Sequence, residues 1–173
     1  MSINISDVEL AEKDFTRFLI NTIKQYELLP TEIQIEITET ATIQNIDQVC
    51  EILTYLKNEG LKIALDDFGT GYSSLNYLKD LPVDTIKLDK SYVSGFTMPT
   101  RDRKLVEAII SLGHAFNLEI VAEGIEQSEE FELLKLLCCD CGQGYLFHKP
   151  LKSETFEEAM EKETITNWYS CKK

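Results

Sequence analysis

The sequence has few histidines and fewer basic than acidic residues, which disfavours histidine-based metal enzymes and nucleic-acid-binding proteins. Only two histidines occur, His114 and His148, which is too few for a histidine-rich metal site. Lysine and arginine number 17 against 30 aspartates and glutamates, and the net charge of −13 disfavours nucleic-acid polymers and anionic membranes as partners. No apolar run approaches the length of a membrane span, and the chain does not open with a signal sequence. These features predict a soluble, cytoplasmic protein.

Cysteine usage excludes two further classes. The chain has five cysteines, an odd number, and without a signal sequence this predicts free thiols. Cys138 and Cys141 have C-x-x-C spacing, but a zinc ribbon needs a second pair and none exists. The pair precedes Gly142 instead of opening a helix, which disfavours a thioredoxin-like motif. We interpret these cysteines as small packing residues between a helix and a strand.

A strand-helix alternation runs through the chain, which is long enough for one domain with a substantial core. Apolar stripes at helical spacing separate six β-branched or apolar runs, and such alternation is typical of parallel βαβ units. A doubly wound sheet and a TIM barrel are both compatible with it. The predicted strands are 3–5, 33–38, 61–65, 85–88, 119–122 and 142–147.

Polar residues at the carboxyl end of every predicted strand favour the barrel, whose strands converge on one site. A complete TIM barrel needs eight strands and about 250 residues. The prediction is therefore an α/β, TIM-barrel-like fold that is incomplete, with about six of eight βα units. Residues 1–151 would form this truncated domain, and residues 152–173 an acidic C-terminal helix or tail of the same domain.

Carboxylates cluster at the predicted strand ends. Because side chains alternate along a strand, Glu36, Asp66 and Lys87 should all face the barrel axis while their apolar neighbours pack on the helices. Asp67 is expected just beyond its strand. Clustered acids repel one another, so a divalent cation is the natural neutralising group. An oxygen-rich ligand set favours Mg²⁺ or Mn²⁺ over zinc.

A glycine-rich segment, Asp-Phe-Gly-Thr-Gly-Tyr-Ser-Ser, occupies residues 67–74. It is not a dinucleotide fingerprint, since Ser74 replaces the third glycine, and it has no P-loop lysine. Beside a metal site, two glycines in a loop suggest a mobile lid, and a simple turn is the alternative.

Six short segments, spread over nearly the whole chain, together form a recognisable pattern. They are 4–6 (Asn-Ile-Ser), 36–39 (Glu-Ile-Thr-Glu), 66–75 (Asp-Asp-Phe-Gly-Thr-Gly-Tyr-Ser-Ser-Leu), 81–89 (Leu-Pro-Val-Asp-Thr-Ile-Lys-Leu-Asp), 121–126 (Val-Ala-Glu-Gly-Ile-Glu) and 143–147 (Gln-Gly-Tyr-Leu-Phe). In this order they make the chain resemble the EAL domain family, the cyclic-di-GMP phosphodiesterases of bacterial signalling.

The resemblance implies roles for particular residues. The implied ligands of Mg²⁺ or Mn²⁺ are Asn4, Glu36, Asp66, Asp67 and Glu123. The implied catalytic residues are Lys87, Glu123 and Asp67, with Lys87 orienting the nucleophilic water or transferring a proton. Gln143 and Glu126 would line the water and substrate site. Glu39 would steady the glycine-rich loop.

One departure from the family is plain: the Glu-Ala-Leu motif that names it, whose glutamate is a metal ligand, is absent. The chain begins at what corresponds to the third strand of the family, as either a fragment or a shortened domain. The implied function is hydrolysis of cyclic-di-GMP to linear pGpG with a divalent metal, impaired in this chain because the first ligand strand is missing. The alternative is an inactive domain that acts as a nucleotide-binding sensor or a protein-interaction scaffold.

The resemblance and the open barrel also predict partners. The strand edges left open by two missing units should drive assembly into a homodimer or higher oligomer. Cyclic-di-GMP is the implied small-molecule partner. Sensory or GGDEF domains upstream of this one are also expected.

Overall fold

A computed structural model describes residues 1–12, 14–39, 46–69, 78–94 and 101–162. Among these residues, six strands form one parallel sheet in chain order. The strands are β1 (Ser2–Ile5), β2 (Gln34–Thr38), β3 (Lys62–Phe68), β4 (Thr85–Leu88), β5 (Glu119–Ala122) and β6 (Cys141–Gly142). Parallel neighbours in chain order require a crossover between each pair, as in a barrel wall.

Within the described residues, helices lie between the strands, and the longer ones carry apolar residues at helical spacing. They are α1 (Asp7–Ala11), α2 (Phe15–Gln25), α3 (Ile46–Asn58), α4 (Lys90–Val93), α5 (Arg101–Ala115), α6 (Ser128–Leu136) and, after β6, α7 (Ser153–Lys162). In α5, for example, Val106, Ile109 and Ile110 are buried. Within the described residues, no helix combines the length and apolar character needed to cross a membrane.

The core lies between one face of the sheet and the helices. Ile35, Ile37 and Ile63 on the strands are fully buried, as are Leu53 and Leu56 on α3. Burying one such side chain stabilises the fold by about 1.5–3 kcal/mol. In β1, β2 and β4, apolar residues alternate with polar ones, so the polar side chains of these strands lie on the opposite face of the sheet.

The sheet does not close on itself within the described residues. β1 pairs only with β2, and β6 pairs only with β5. The predicted incomplete, TIM-barrel-like architecture of about six units is therefore confirmed.

The last predicted strand, 142–147, is wrong beyond Gly142. The backbone N–H groups of Phe147 and His148 both donate to the Gly144 carbonyl, which folds the chain into a turn. Gly144 also packs so closely on the backbone of Ile125 that a Cβ there would overlap it. The chain therefore leaves the sheet after two residues of β6.

The predicted end of β3 is also wrong. The strand continues through an irregularity to Phe68, which pairs with Leu88, and Asp67 lies within it instead of beyond it. Asp67 adopts a left-handed φ of 55°, which is uncommon for a residue other than glycine. Residues 70–77, which hold most of the glycine-rich loop, lie outside the described residues.

The cysteines of the described residues are free thiols. Burial raises the pKa of the Cys139 thiol to about 12 and that of Cys141 to about 11. The Cys139 thiol donates to the Ile120 carbonyl at the junction between α6 and β6. Because the thiolate is the reactive form, these groups are suited to packing and not to redox chemistry.

Candidate active site at the carboxyl ends of the strands

Lys87 is the centre of the polar face. It is only 6% exposed, and its Nζ lies 2.7 Å from Glu36 Oε2, 2.7 Å from Glu123 Oε1 and 3.4 Å from Asp66 Oδ1. Strand alternation predicts that Glu36, Asp66 and Lys87 share a face, and the structure brings them together. Glu123, one residue beyond β5, joins them.

The cluster carries excess negative charge. Burial by itself lowers the pKa of Lys87, but the hydrogen bonds to Glu123 and Glu36 and the charge of Asp66 outweigh it, and the pKa rises. The lysine is therefore an ammonium at neutral pH. Three carboxylates against one ammonium leave a formal charge of −2 (three negative, one positive).

The surroundings of Glu123 shift its pKa upwards, towards the protonated form. Burial raises its pKa, and the charges of Asp66 and Glu36 raise it further, while Lys87 acts in the opposite direction. The Gln143 amide donates a hydrogen bond to Glu123 Oε1 and so fixes the orientation of this carboxylate. A carboxyl group with a raised pKa is suited to taking up or giving a proton.

Asp66 and Asp67 form a compact pair at the end of β3. The Asp67 amide donates to Asp66 Oδ1 at 3.0 Å, which keeps that oxygen near Lys87. Burial raises the pKa of Asp67, and the charges of Asp66 and Asp89 act in the same direction. Asn4 lies in the strand register directly beside Glu36, on the exposed edge strand β1.

Glu126 does not join the cluster. Its carboxylate forms an ion pair with Lys90 of α4 at the surface. Its backbone amide, and that of Gln127, donate to the buried Glu130 Oε2 at 3.0 and 3.1 Å. Glu130 thus anchors the loop that connects Glu123 with α6.

A cleft of about 600 Å³ opens beside the cluster. Glu123 and Gln143 belong to its wall, so the cleft is continuous with the catalytic candidates. The other lining residues are Lys90, Gly124, Glu126, Gly144, Tyr145, His148, Lys149, Pro150, Leu151 and Phe156.

Glu39 contacts the start of the glycine-rich segment. It is 4% exposed, and its Oε2 accepts a hydrogen bond from the Gly69 amide at 2.9 Å. The hydroxyl of Tyr92 donates to the carbonyl of the same glycine.

Three residues with contacts at this site were not predicted from the sequence: Tyr92, Lys90 and Glu130. Of these three, Glu130 could have been found from the sequence, because it stands three residues after Gln127, which is the spacing of a helix capping box.

The carboxylate oxygens of this cluster are of the kind that bind a hard divalent cation. Among the residues that the structure describes, no three His, Cys, Asp or Glu side chains are arranged around a common metal position. Glu36, Asp66 and Glu123 all turn towards the Lys87 ammonium. Their formal excess of negative charge and their oxygen donors are nevertheless what Mg²⁺ and Mn²⁺ prefer.

Comparison with known proteins finds similar sequences and similar solved structures. The family model described as EAL domain matches residues 1–150. Over 138 residues, the chain is 38% identical to NbdA, a cyclic di-GMP phosphodiesterase of Pseudomonas aeruginosa. That alignment covers 80% of this chain and 18% of NbdA. The chain spans about a fifth of the length of such curated relatives.

Two solved structures show the same fold with the nucleotide bound. The MucR phosphodiesterase of Pseudomonas aeruginosa, in complex with c-di-GMP, matches with a TM-score of 0.85 and 35% identity, covering 90% of this chain and 63% of that one. The manganese and cy-diGMP complex of Klebsiella pneumoniae BlrP1 matches with a TM-score of 0.81 and 32% identity. That match covers 86% of this chain and 38% of BlrP1.

Proposed function

This chain belongs to the EAL domain family, and we propose that it forms the larger part of a site that hydrolyses cyclic-di-GMP to linear pGpG. The observation that supports this most directly is the buried contact of Lys87 with Glu36, Asp66 and Glu123 on the polar face of the sheet. The nucleotide complexes of MucR and BlrP1, and the activity named for NbdA, support the choice of substrate.

The proposed reaction breaks one phosphodiester bond. The oxygen of a water molecule bonds to phosphorus, the bond from phosphorus to a ribose 3′ oxygen breaks, and a proton from the water ends on that leaving oxygen. Lys87 would offset the negative charge that develops on the phosphoryl oxygens. Glu123, whose pKa is raised by burial, would take up the proton of the attacking water. Gln143 would hold Glu123 in position.

Mg²⁺ or Mn²⁺ is the proposed cofactor. A polypeptide rich in carboxylates, with a net charge of −13, would otherwise repel a dianionic substrate. The proposed ligands are Asn4, Glu36, Asp66, Asp67 and Glu123. A bound divalent ion would lower the pKa of a water molecule and neutralise phosphate charge.

A second candidate function is nucleotide binding without turnover. The observation that favours it is that these 173 residues contain no Glu-Ala-Leu sequence, so they lack one carboxylate ligand of the family. In that case the domain would act as a sensor or scaffold. A cytoplasmic location and upstream sensory or GGDEF domains remain predictions.

We predict that a polypeptide of these 173 residues alone hydrolyses cyclic-di-GMP slowly or not at all with Mn²⁺. Losing one ligand removes charge and positioning together, and one such electrostatic interaction is commonly worth about 3 kcal/mol of barrier. A product assay should be run beside a calorimetric titration with the nucleotide. Binding without hydrolysis would favour the sensor or scaffold function. Turnover equal to that of a complete family member, abolished by Asp66→Asn, would contradict the predicted impairment.

We also predict that this polypeptide is a homodimer or a higher oligomer. In the described residues, β1 and β6 each have one edge without a partner strand, and open edges pair readily with other chains. Light scattering coupled to size-exclusion chromatography measures this directly. A stable, soluble monomer at micromolar concentration would contradict the prediction.

A further inference from the structure

Gly69 is held from both sides. Its amide donates to the carboxylate of Glu39, the residue that follows β2. Its carbonyl accepts from the hydroxyl of Tyr92, which is supplied by α4. The peptide groups before and after Gly69 are thus each tied to a different element of the fold.

The ring of Tyr92 adds a packing contact to this hydrogen bond. A Cβ at Gly69 would lie 2.8 Å from the Tyr92 hydroxyl oxygen and 3.0 Å from two ring carbons. Gly69 also has a φ of 94°, a conformation that side chains disfavour. Only glycine therefore allows this aromatic ring to sit against the backbone here.

Asp67, two residues earlier, needs such restraint. Its left-handed backbone costs free energy, although less for aspartate than for most other residues besides glycine, and contacts with the surroundings help to maintain it. In this conformation its amide donates to Asp66 Oδ1, the oxygen that lies 3.4 Å from Lys87 Nζ. A contact at Gly69 can therefore influence the position of the Asp66 carboxylate.

We propose that Tyr92 is a positioning residue, whose hydroxyl acts with the Glu39 carboxylate to fix Gly69 and so to hold Asp66 and Asp67 in place. The inference rests on the proposed function, because it assigns Tyr92 to the same site. Burial, and then the charges of Glu39 and Asp89, raise the pKa of Tyr92, so the hydroxyl keeps its proton and remains a donor. Asp89 caps α4 through Ser91 and thereby fixes the helix that carries Tyr92.

The test is Tyr92→Phe, which removes one oxygen and leaves the ring. Three quantities are measured on the 173-residue chain: hydrogen exchange at the Gly69 amide, Mn²⁺ affinity by electron paramagnetic resonance titration, and exchange in α5. The matched control is Tyr55→Phe, since Tyr55 is a 45% exposed tyrosine on α3.

We expect Tyr92→Phe to speed exchange at Gly69 and to weaken Mn²⁺ binding, each by about threefold to tenfold, as for loss of one hydrogen bond. Exchange in α5 should not change, and Tyr55→Phe should change none of the three quantities. Glu39→Gln combined with Tyr92→Phe should change Gly69 exchange by less than the product of the single effects, because both act on one glycine.

Unchanged exchange at Gly69 in Tyr92→Phe would overturn the inference. Equal acceleration in α5 would also overturn it, since it would mean that Tyr92 supports the fold as a whole. If Mn²⁺ binding is too weak to measure, hydrogen exchange at the Gly69 amide alone decides whether the inference stands. Failure of the unmodified chain to bind cyclic-di-GMP at all would count against the proposed function and leave the exchange result standing.

Discussion

Lys87→Met should lower the free energy of unfolding at pH 7 by about 3–5 kcal/mol, because removing the buried ammonium leaves the negative charges of the carboxylates around it uncompensated. The 6% exposed ammonium is the shared counter-ion of Glu36, Asp66 and Glu123. Urea denaturation with and without Mn²⁺ measures the effect. Mn²⁺ should stabilise the variant more than the unmodified chain, because the three carboxylates then need another cation.

Lys24→Met is the control for this substitution. Lys24 pairs with Glu59 at 3.8 Å, and its side chain is 68% exposed, so its loss should change stability by less than about 1 kcal/mol. A similarly small change for Lys87→Met would mean that the carboxylate cluster does not depend on the lysine.

Asp66→Asn should reduce hydrolysis of cyclic-di-GMP by about 10³-fold in a polypeptide that also carries a Glu-Ala-Leu strand on the N-terminal side of these residues. A divalent ion stabilises the transition state by several kcal/mol, and each 1.4 kcal/mol is a factor of ten in rate. The amide oxygen of asparagine can still accept the Asp67 N–H, so the fold should be preserved. Initial rates at saturating Mn²⁺ and substrate measure the change.

Asp102→Asn removes the same charge from an exposed position on α5 and should leave the rate unchanged. If Asp66→Asn retained more than a tenth of the activity, the Asp66 carboxylate would not be a metal ligand. Circular dichroism of both variants would separate this outcome from loss of the fold.

The alternation of side chains was enough to predict that Glu36, Asp66 and Lys87 share the inner face of the sheet. Glu36 and Lys87 each stand between apolar residues on a strand, so period-two geometry places both on the inner face, where they are 2.7 Å apart. The parallel pairing of the strands followed from the strand-helix alternation, and the polar residues at the strand ends favoured the barrel order. Side-chain alternation and strand-helix alternation are periodic along the chain, so a single sequence is enough to reveal them.

Features that depend on close contact between distant segments could not be predicted. The extension of β3 through Asp67 depends on a left-handed backbone that no glycine marks. The turn after β6 depends on Gly144 packing against Ile125, which lies in another loop. Lys90 and Tyr92 were overlooked because α4 has only four residues, and no periodic pattern shows where its side chains point.

The most direct measurement is the product of cyclic-di-GMP hydrolysis by a polypeptide that carries these residues together with a Glu-Ala-Leu strand. Chromatography with mass spectrometry identifies the product, and chelation followed by return of Mn²⁺ tests the need for metal. We predict linear pGpG, formed only with divalent metal and formed about 10³-fold more slowly in Asp66→Asn. No turnover despite measurable nucleotide binding, or turnover that survives both chelation and Asp66→Asn, would contradict it.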